Sequence, residues 1–564
     1  MHHLQVHLSQ LSGGESLEEV YLLDRCTYLF HKLAWIQEFF DRKKLAQELA
    51  YLVMVVYIYD YIDRLGLRFA DRILRSLSFL QWELERFRPL LGLNLQAKIA
   101  MAVAIEYAER PPDEKEKIAE LVSTAYAWLR LEKDTKDFSQ AEERKRWLYS
   151  LLNSEPEMKR RELVEGNTER RELRLVNIGL AVTEECPNSC TFCLSPWKPS
   201  CRERLGRELD EEEFRVIADE VIGFADSRGL ILTLTGGEPF LELERVKYIL
   251  RHAKTRTDLT TSAWWARNEA RAKSILEEVL AAASENRSES FRFTLQVSLD
   301  AFHQEVRFER GEFSEHVPLS AVANVVKLAL EEFQELELVL LTKLTSYHDP
   351  LARLVRLMEG MGYQVKLDEE SVEPGIPVST GIPGKGIVTA PALLRGYLNF
   401  GDRRVLVFYT LVESIGRAAL LEEFEYPSLR AQVEELLSGR SMRLPITGIE
   451  VSDDGNVYPG AHAMYTWSAG NVLEESLEEI AGRLERDPLV HAIAEKPGEL
   501  VKLAEEVEPK VREVLRRASS PLAAVYMLLE TPWLRLYLTE RLMGVKREEA
   551  AERYRRYREE YTSE

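Results

Sequence analysis

The chain has 564 residues with a formal net charge of −20, and 45% of its residues are hydrophobic against 30% charged. That length exceeds one ordinary core and points to about three or four domains of a globular protein. The acidic residues are spread along the chain, which disfavours a phosphate-tracking surface and hence a nucleic-acid partner. The strongest apolar run, Leu52 to Ile58, is too short for a membrane span and meets Asp60 and Asp63 at once.

No basic segment followed by an apolar run opens the sequence, so no secretory signal is expected. Five cysteines, three of them clustered, suit metal ligation in a reducing compartment and not a disulfide framework. The expected location is cytoplasmic.

In chain order, residues 1–135 read as a helical domain, with apolar residues at helical spacing from Tyr21 to Phe40, Leu45 to Leu65, Ala70 to Leu91 and Ala97 to Ala108. Cys26 and His31 lie on apolar faces there and read as packing. Residues 136–172 are dominated by charge and read as a linker or exposed helix with a solvated face. From 173 to 390 the pattern changes to alternating strands and helices. The strands are Val176 to Val182, Leu230 to Thr235, Leu259 to Ala263, Phe293 to Leu299, Leu338 to Leu344 and Val365 to Glu369. The helices are Asp210 to Arg228, Leu243 to Lys254, Ala266 to Ala283, Leu319 to Glu332 and Pro350 to Gly360. Strands separated by helices with right-handed crossovers predict a parallel, curved sheet and an α/β fold.

Residues 391–489 contain a hairpin signal around Asp454-Gly455, running from Ile449 to Gly460, followed by Gly470-Asn471 and a helix over Leu473 to Leu484. Residues 490–564 return to helix and close with an alternating-charge stretch over Arg547 to Tyr561, expected to face solvent.

The chemistry concentrates in two places. Cys186, Cys190 and Cys193 fall within eight residues, and Gly236-Gly237-Glu238-Pro239 follows about one βαβ unit later. Three thiolates on a short loop leave one corner of a cubane iron–sulfur cluster without a protein ligand. Two other readings of the cysteines are a structural zinc site and a closed electron-transfer cluster, each with Cys201 as fourth ligand. Neither requires the glycine turn after the next strand. Gly384-Lys385-Gly386 lacks the phosphate-loop pattern and reads as a connecting loop.

The loop has the form C-x3-C-x-aromatic-C, with Phe192 at the aromatic place, and with the GGEP turn the chain resembles the radical S-adenosylmethionine (SAM) superfamily. The resemblance implies an open six-stranded (βα)6 partial barrel and an enzyme with one [4Fe-4S] cluster on Cys186, Cys190 and Cys193. The open iron would chelate the amino and carboxylate groups of SAM, and reduction would release a 5′-deoxyadenosyl radical that abstracts hydrogen. Gly236, Gly237, Glu238 and Pro239 would receive the SAM ammonium through backbone carbonyls and the acidic side chain. Ser298 and Asp300 would meet the ribose hydroxyls, Lys343 the SAM carboxylate or a substrate, and the Phe192 backbone the adenine. His303 reads as structural.

Residues 391–489 resemble the SPASM or twitch extension of that superfamily, whose hairpin ends in Tyr-Pro-Cys. Gly460 stands at the cysteine place, and no cysteine follows Cys201, so no thiolate-ligated auxiliary cluster is expected. This extension implies a peptide or protein substrate, with a small molecule in cofactor or metabolite biosynthesis as the alternative. A low-potential donor such as a flavodoxin or ferredoxin is implied as partner. Cys201 is a candidate hydrogen-atom donor to a substrate radical, or an ordinary thiol.

Overall fold

The computed structural model describes residues 143, 146–188, 190, 193, 209–300, 302–304, 306–309, 312–343, 350–379, 387–410, 427–439, 442–444, 446–460 and 467–562. The expectations for the helical segment 1–135, for Phe192 and Cys201, and for Gly384-Lys385-Gly386 fall outside these residues. The chain divides into two compact units. Gln304–Pro318 belong to the first; the other described residues form the second.

Helix α1 (Glu155–Glu165) precedes β1 (Asn177–Thr183), α2 (Glu211–Arg228), β2 (Ile231–Gly236), α3 (Leu243–His252), β3 (Arg256–Thr261), α4 (Glu269–Glu285) and β4 (Arg292–Ser298). The first unit contributes a hairpin of β5 (Val306–Glu309) and β6 (Glu312–Glu315). Then come α5 (Leu319–Glu331), β7 (Glu337–Lys343), α6 (Pro350–Gly360), β8 (Val365–Ser379), β9 (Ile387–Phe400), β10 (Arg403–Thr410) and α7 (Pro427–Leu437). The remaining strands are β11 (Gly448–Val451), β12 (Asn456–Pro459) and β13 (Gly470–Asn471). Helices α8 (Leu477–Leu484), α9 (Pro488–Glu495), α10 (Pro497–Glu505), α11 (Val511–Leu515), α12 (Pro521–Leu528), α13 (Pro532–Leu542) and α14 (Arg547–Thr562) end the described chain.

The fold is α/β. In the second unit an 11-stranded sheet has the order β13-β12-β11-β1-β2-β3-β4-β7-β10-β9-β8. Its middle, from β11 through β10, is parallel. The sixth place after β1, β2, β3, β4 and β7 belongs to β10, whereas the expected sixth segment, Val365 onward, lies at the far edge as β8. The two-residue Gly401-Asp402 turn, with Gly401 at φ 62°, can join only antiparallel neighbours. β9 therefore folds back on β10, with Phe400 opposite Arg403, and β8 pairs outside it.

The local signals explain the elements. Asp210 and Glu213 form a reciprocal capping box at the start of α2, and Gly229 ends it in the left-handed conformation. Phe214, Ile217, Ala218, Val221, Ile222 and Ala225 recur on its buried face, which packs on β1 and β2. Along the strands, Leu232, Leu234, Leu295 and Val297 are fully buried. The alternate positions Thr233, Thr235, Thr260, Gln296 and Ser298 are half-buried, so one face of the sheet is core and the other is polar and accessible.

The charged stretch 136–172 is not simply a solvated linker. In α1, Glu157 and Arg160 are 0% and 2% exposed. Glu157 Oε1 accepts from Arg160 Nε at 2.9 Å, and its Oε2 accepts from Arg535 of α13 at 3.0 Å. Arg160 Nη1 donates to Asp487 Oδ2 at 2.5 Å, and its guanidinium lies 4.7 Å from the Trp467 ring centroid. Two carboxylates and two guanidiniums thus neutralise one another in the interior. Burial pushes the Glu157 carboxyl up, but Arg160 and Arg535 outweigh it and hold the group below its ordinary value.

Glu157→Ala leaves Arg160 with Asp487 but strands the buried Arg535 guanidinium, and is expected to cost about 3–5 kcal/mol in urea unfolding. Because the folded carboxyl titrates below the unfolded one, its contribution is complete above the ordinary carboxylate range and is lost as pH falls through the lower folded value. The wild type should lose this increment in acid and the variant should not; parallel acid destabilisation of both would contradict the assignment.

Candidate functional site

The two sequence motifs meet at the carboxyl ends of β1 and β2. Gly236 has φ 116°, and a Cβ there would lie 2.2 Å from the Thr183 carbonyl oxygen; one on Gly237 would lie 1.9 Å from that of Glu185. Only glycines allow so close an approach. The Gly237 amide donates to Thr183 O at 2.7 Å, and the Glu238 amide to Glu185 O at 2.8 Å. The glycine turn is thereby fastened to the three residues that lead into Cys186.

In the cysteine loop, Cys186 is exposed, Cys190 buried and Cys193 half-buried. The Cys193 amide donates to Cys190 O at 3.2 Å, and the Asn188 amide reaches Cys186 Sγ at 3.4 Å. Although Cys186 is exposed as a residue, its sulfur is crowded by protein atoms. That desolvation, with Cys190, Glu238 and Cys193 nearby, pushes its thiol up despite the Asn188 amide. Among the described residues no three His, Cys, Asp or Glu side chains converge on a single ion. Three thiols on one loop are the donor type that a cubane takes at separate corners.

Glu238 is 1% exposed, and its carboxylate is ringed by donors: Thr261 Oγ1 at 2.6 Å, Ser262 N at 3.0 Å, Ser262 Oγ at 2.5 Å and Phe240 N at 3.4 Å. A carboxylate has about four lone-pair sites, so these are taken. These bonds hold the Glu238 side chain to the end of β3. Asn188 Nδ2 donates to Ser262 Oγ at 2.8 Å, which carries the connection from Glu238 into the cysteine loop. Beyond Ser262, Ala263 adopts φ 62°, and Phe240 stacks on Trp265 with centroids 4.4 Å apart. Pro239 opens the short helical turn that places Phe240.

Ser298 and Asp300 stand at the end of β4, and Lys343 at the end of the neighbouring β7. Asp300 Oδ1 accepts from the amides of Phe302 and His303, each at 3.0 Å, and its Oδ2 lies 2.9 Å from His303 Nδ1. Burial pushes the Asp300 carboxyl up, but His303 and, less strongly, Lys343 hold it below its ordinary value. His303, which sequence reasoning treats as structural, also hydrogen-bonds Cys190. Burial opposes its protonation, but Asp300 and Cys190 outweigh that and raise the imidazole well above its ordinary value. The Asp-x-x-His spacing is the one local signal for this bridge.

A polar ladder on the accessible sheet face was not anticipated. Thr260 Oγ1 donates to Gln296 Oε1 at 3.2 Å, and Gln296 Nε2 to Asp258 Oδ2 at 2.9 Å. Ser298, two residues after Gln296, shares this face.

Residues 180–346 match the family model described as the Radical SAM superfamily. These residues thus form the domain of an enzyme of the radical SAM class, whose cofactors are a [4Fe-4S] cluster and SAM. No curated protein matches the chain. Among solved structures it is similar to anSMEcpe with bound AdoMet, at 16% identity over 67% of this chain and 99% of that one, TM-score 0.33. It is also similar to Streptococcus suis SuiB bound to S-adenosylmethionine, at 11% identity over 76% and 81%, TM-score 0.28. A third is BtrN in complex with AdoMet and 2-DOIA, at 11% identity over 59% and 91%, TM-score 0.27. Likeness at these scores says nothing of substrate or partner. Among the described residues no helix is long and apolar enough to cross a membrane.

Gly237→Ala is expected to lose about 1–3 kcal/mol or more in urea unfolding, because backbone must move to admit the methyl group. Gly223→Ala, in α2 with nothing within 4 Å of the added carbon, should instead gain about 0.5–1 kcal/mol. Equal effects of the two substitutions would show that the close approach at Gly237 is not needed.

Proposed function

We propose that Cys186, Cys190 and Cys193 hold one [4Fe-4S] cluster, that SAM binds beside it at the Gly236-Gly237 backbone and Ser298, and that the substrate is a peptide or protein. The observation that supports this best is the fastening of the glycine turn to residues 183–185, which brings the two motifs to one end of the sheet. When bound, cluster and SAM supply reductive sulfonium cleavage and a carbon radical able to take hydrogen from an unactivated position. A low-potential carrier of the flavodoxin or ferredoxin type provides the electron.

The chain's own residues have simpler tasks. The three cysteines supply thiolates, and Glu238 holds the end of β3 against the turn through Thr261 and Ser262. Asp300 orients His303 towards Cys190 and, with Lys343 beside it, sets the charge at the ends of β4 and β7. Asp258, Thr260 and Gln296 offer hydrogen-bonding groups on the accessible face. The peptide reading rests on the hairpin of β11 and β12, which has the SPASM-like form with Gly460 at the cysteine place.

Anaerobic reconstitution should load about four irons per chain, with 5′-deoxyadenosine formed on reduction in the presence of SAM. Cys190→Ala should abolish both. About eight irons and two paramagnetic centres would sink the one-cluster reading. For the substrate, a perdeuterated cell extract separated into peptides and small metabolites supplies the probe. Deuterium should appear in 5′-deoxyadenosine from the peptide fraction; transfer from the metabolite fraction alone would overturn the peptide reading.

A further inference from the structure

The hairpin of β11 and β12 has no thiol to offer, yet its turn reaches the cysteine loop. β11 lies beside β1 with Asn177 opposite Gly448 and Leu180 opposite Val451. Past the end of that ladder, Asp453 Oδ2 accepts the backbone N–H of Glu184 at 2.9 Å. Asp453 is 4% exposed and Glu184 8%, so the bond is shielded from water and a charged acceptor there is strong.

Glu184 is the middle of the link on which the site depends. The carbonyls on either side of it, Thr183 and Glu185, receive the amides of Gly237 and Glu238 at 2.7 and 2.8 Å, and Cys186 follows. The adjacent Asp454 does different work. It accepts from Asn456 Nδ2 at 3.0 Å and from the Ser452 hydroxyl, both within the hairpin.

We propose that Asp453 is a positioning residue for the cofactor site: by holding the Glu184 amide it fixes residues 183–185, and through them both Cys186 and the glycine turn. The hairpin acts as a brace for the cluster loop in place of being a ligand. This rests on the reading of the cysteines as cluster ligands, and the test separates the two.

Full-length wild type, Asp453→Ala, Asp453→Asn and Asp454→Asn are compared by amide hydrogen exchange without iron. After reconstitution they are compared by SAM affinity, read from the change in the reduced-cluster paramagnetic signal. Asp453→Ala should speed exchange in the peptides covering 183–193 and 236–238 while β11 and β12 stay protected, and should weaken SAM binding about tenfold or more. Asp453→Asn keeps an acceptor oxygen and should restore most of both. Asp454→Asn should leave exchange at 183–193 as in the wild type. Unchanged exchange in Asp453→Ala overturns the proposal, as does equal loss in all three variants, which would mark the hairpin as a general structural support. A wild type that binds no iron refutes the cluster reading, while the exchange data still decide the role of Asp453.

Discussion

The site depends on one close approach of two backbones. Thr183 and Glu185, leaving β1, accept hydrogen bonds from Gly237 and Glu238, leaving β2, at a separation that admits no side chain on either glycine. Parallel strands alone would bring their ends near each other but would not hold a thiol loop at a set distance from the glycine turn. The paired amides do that, and the buried strand faces below give them a rigid base.

Around this contact four acidic side chains are committed to protein. Glu238 binds Thr261 and Ser262, Asp300 binds His303 and the turn that carries it, Asp258 binds Gln296, and Asp453 binds Glu184. Each is a carboxylate removed from water and met by donors of the protein, the condition under which buried charge is tolerated. Their shared effect is shape. Loops that would otherwise fray are fixed by charge-assisted bonds, and the surfaces left for ligand are backbone, thiol, hydroxyl and amide.

Much of this was legible locally. The strands at 177, 231 and 292, the capped helix after Asp210, the cysteine loop and the glycine turn announce themselves within a few residues. What was not legible lies between distant segments. Alternation marks Val365 onward as a strand but does not say which neighbour it takes; it pairs with β9 at the sheet edge, and β10 takes the place beside β7. The engagement of Glu238 depends on Thr261 and Ser262, and the bridge from Asp300 to Cys190 depends on where β4 ends relative to the cysteine loop. Charge density at 155–165 suggests solvent because the partners that neutralise it, Asp487 and Arg535, are far along the chain.

That last feature bears on how the protein is made. The bond from Arg535 to Glu157 closes a separation of 378 residues, so during vectorial synthesis α1 emerges long before its guanidinium partner exists. Until then the interior face of α1 carries only the Glu157–Arg160 pair, with hydrogen-bonding capacity that Asp487 and Arg535 have yet to meet, and desolvating it is unfavourable. The ion quartet is therefore complete only on a chain translated as far as α13, which makes it a latch that no shorter chain can close.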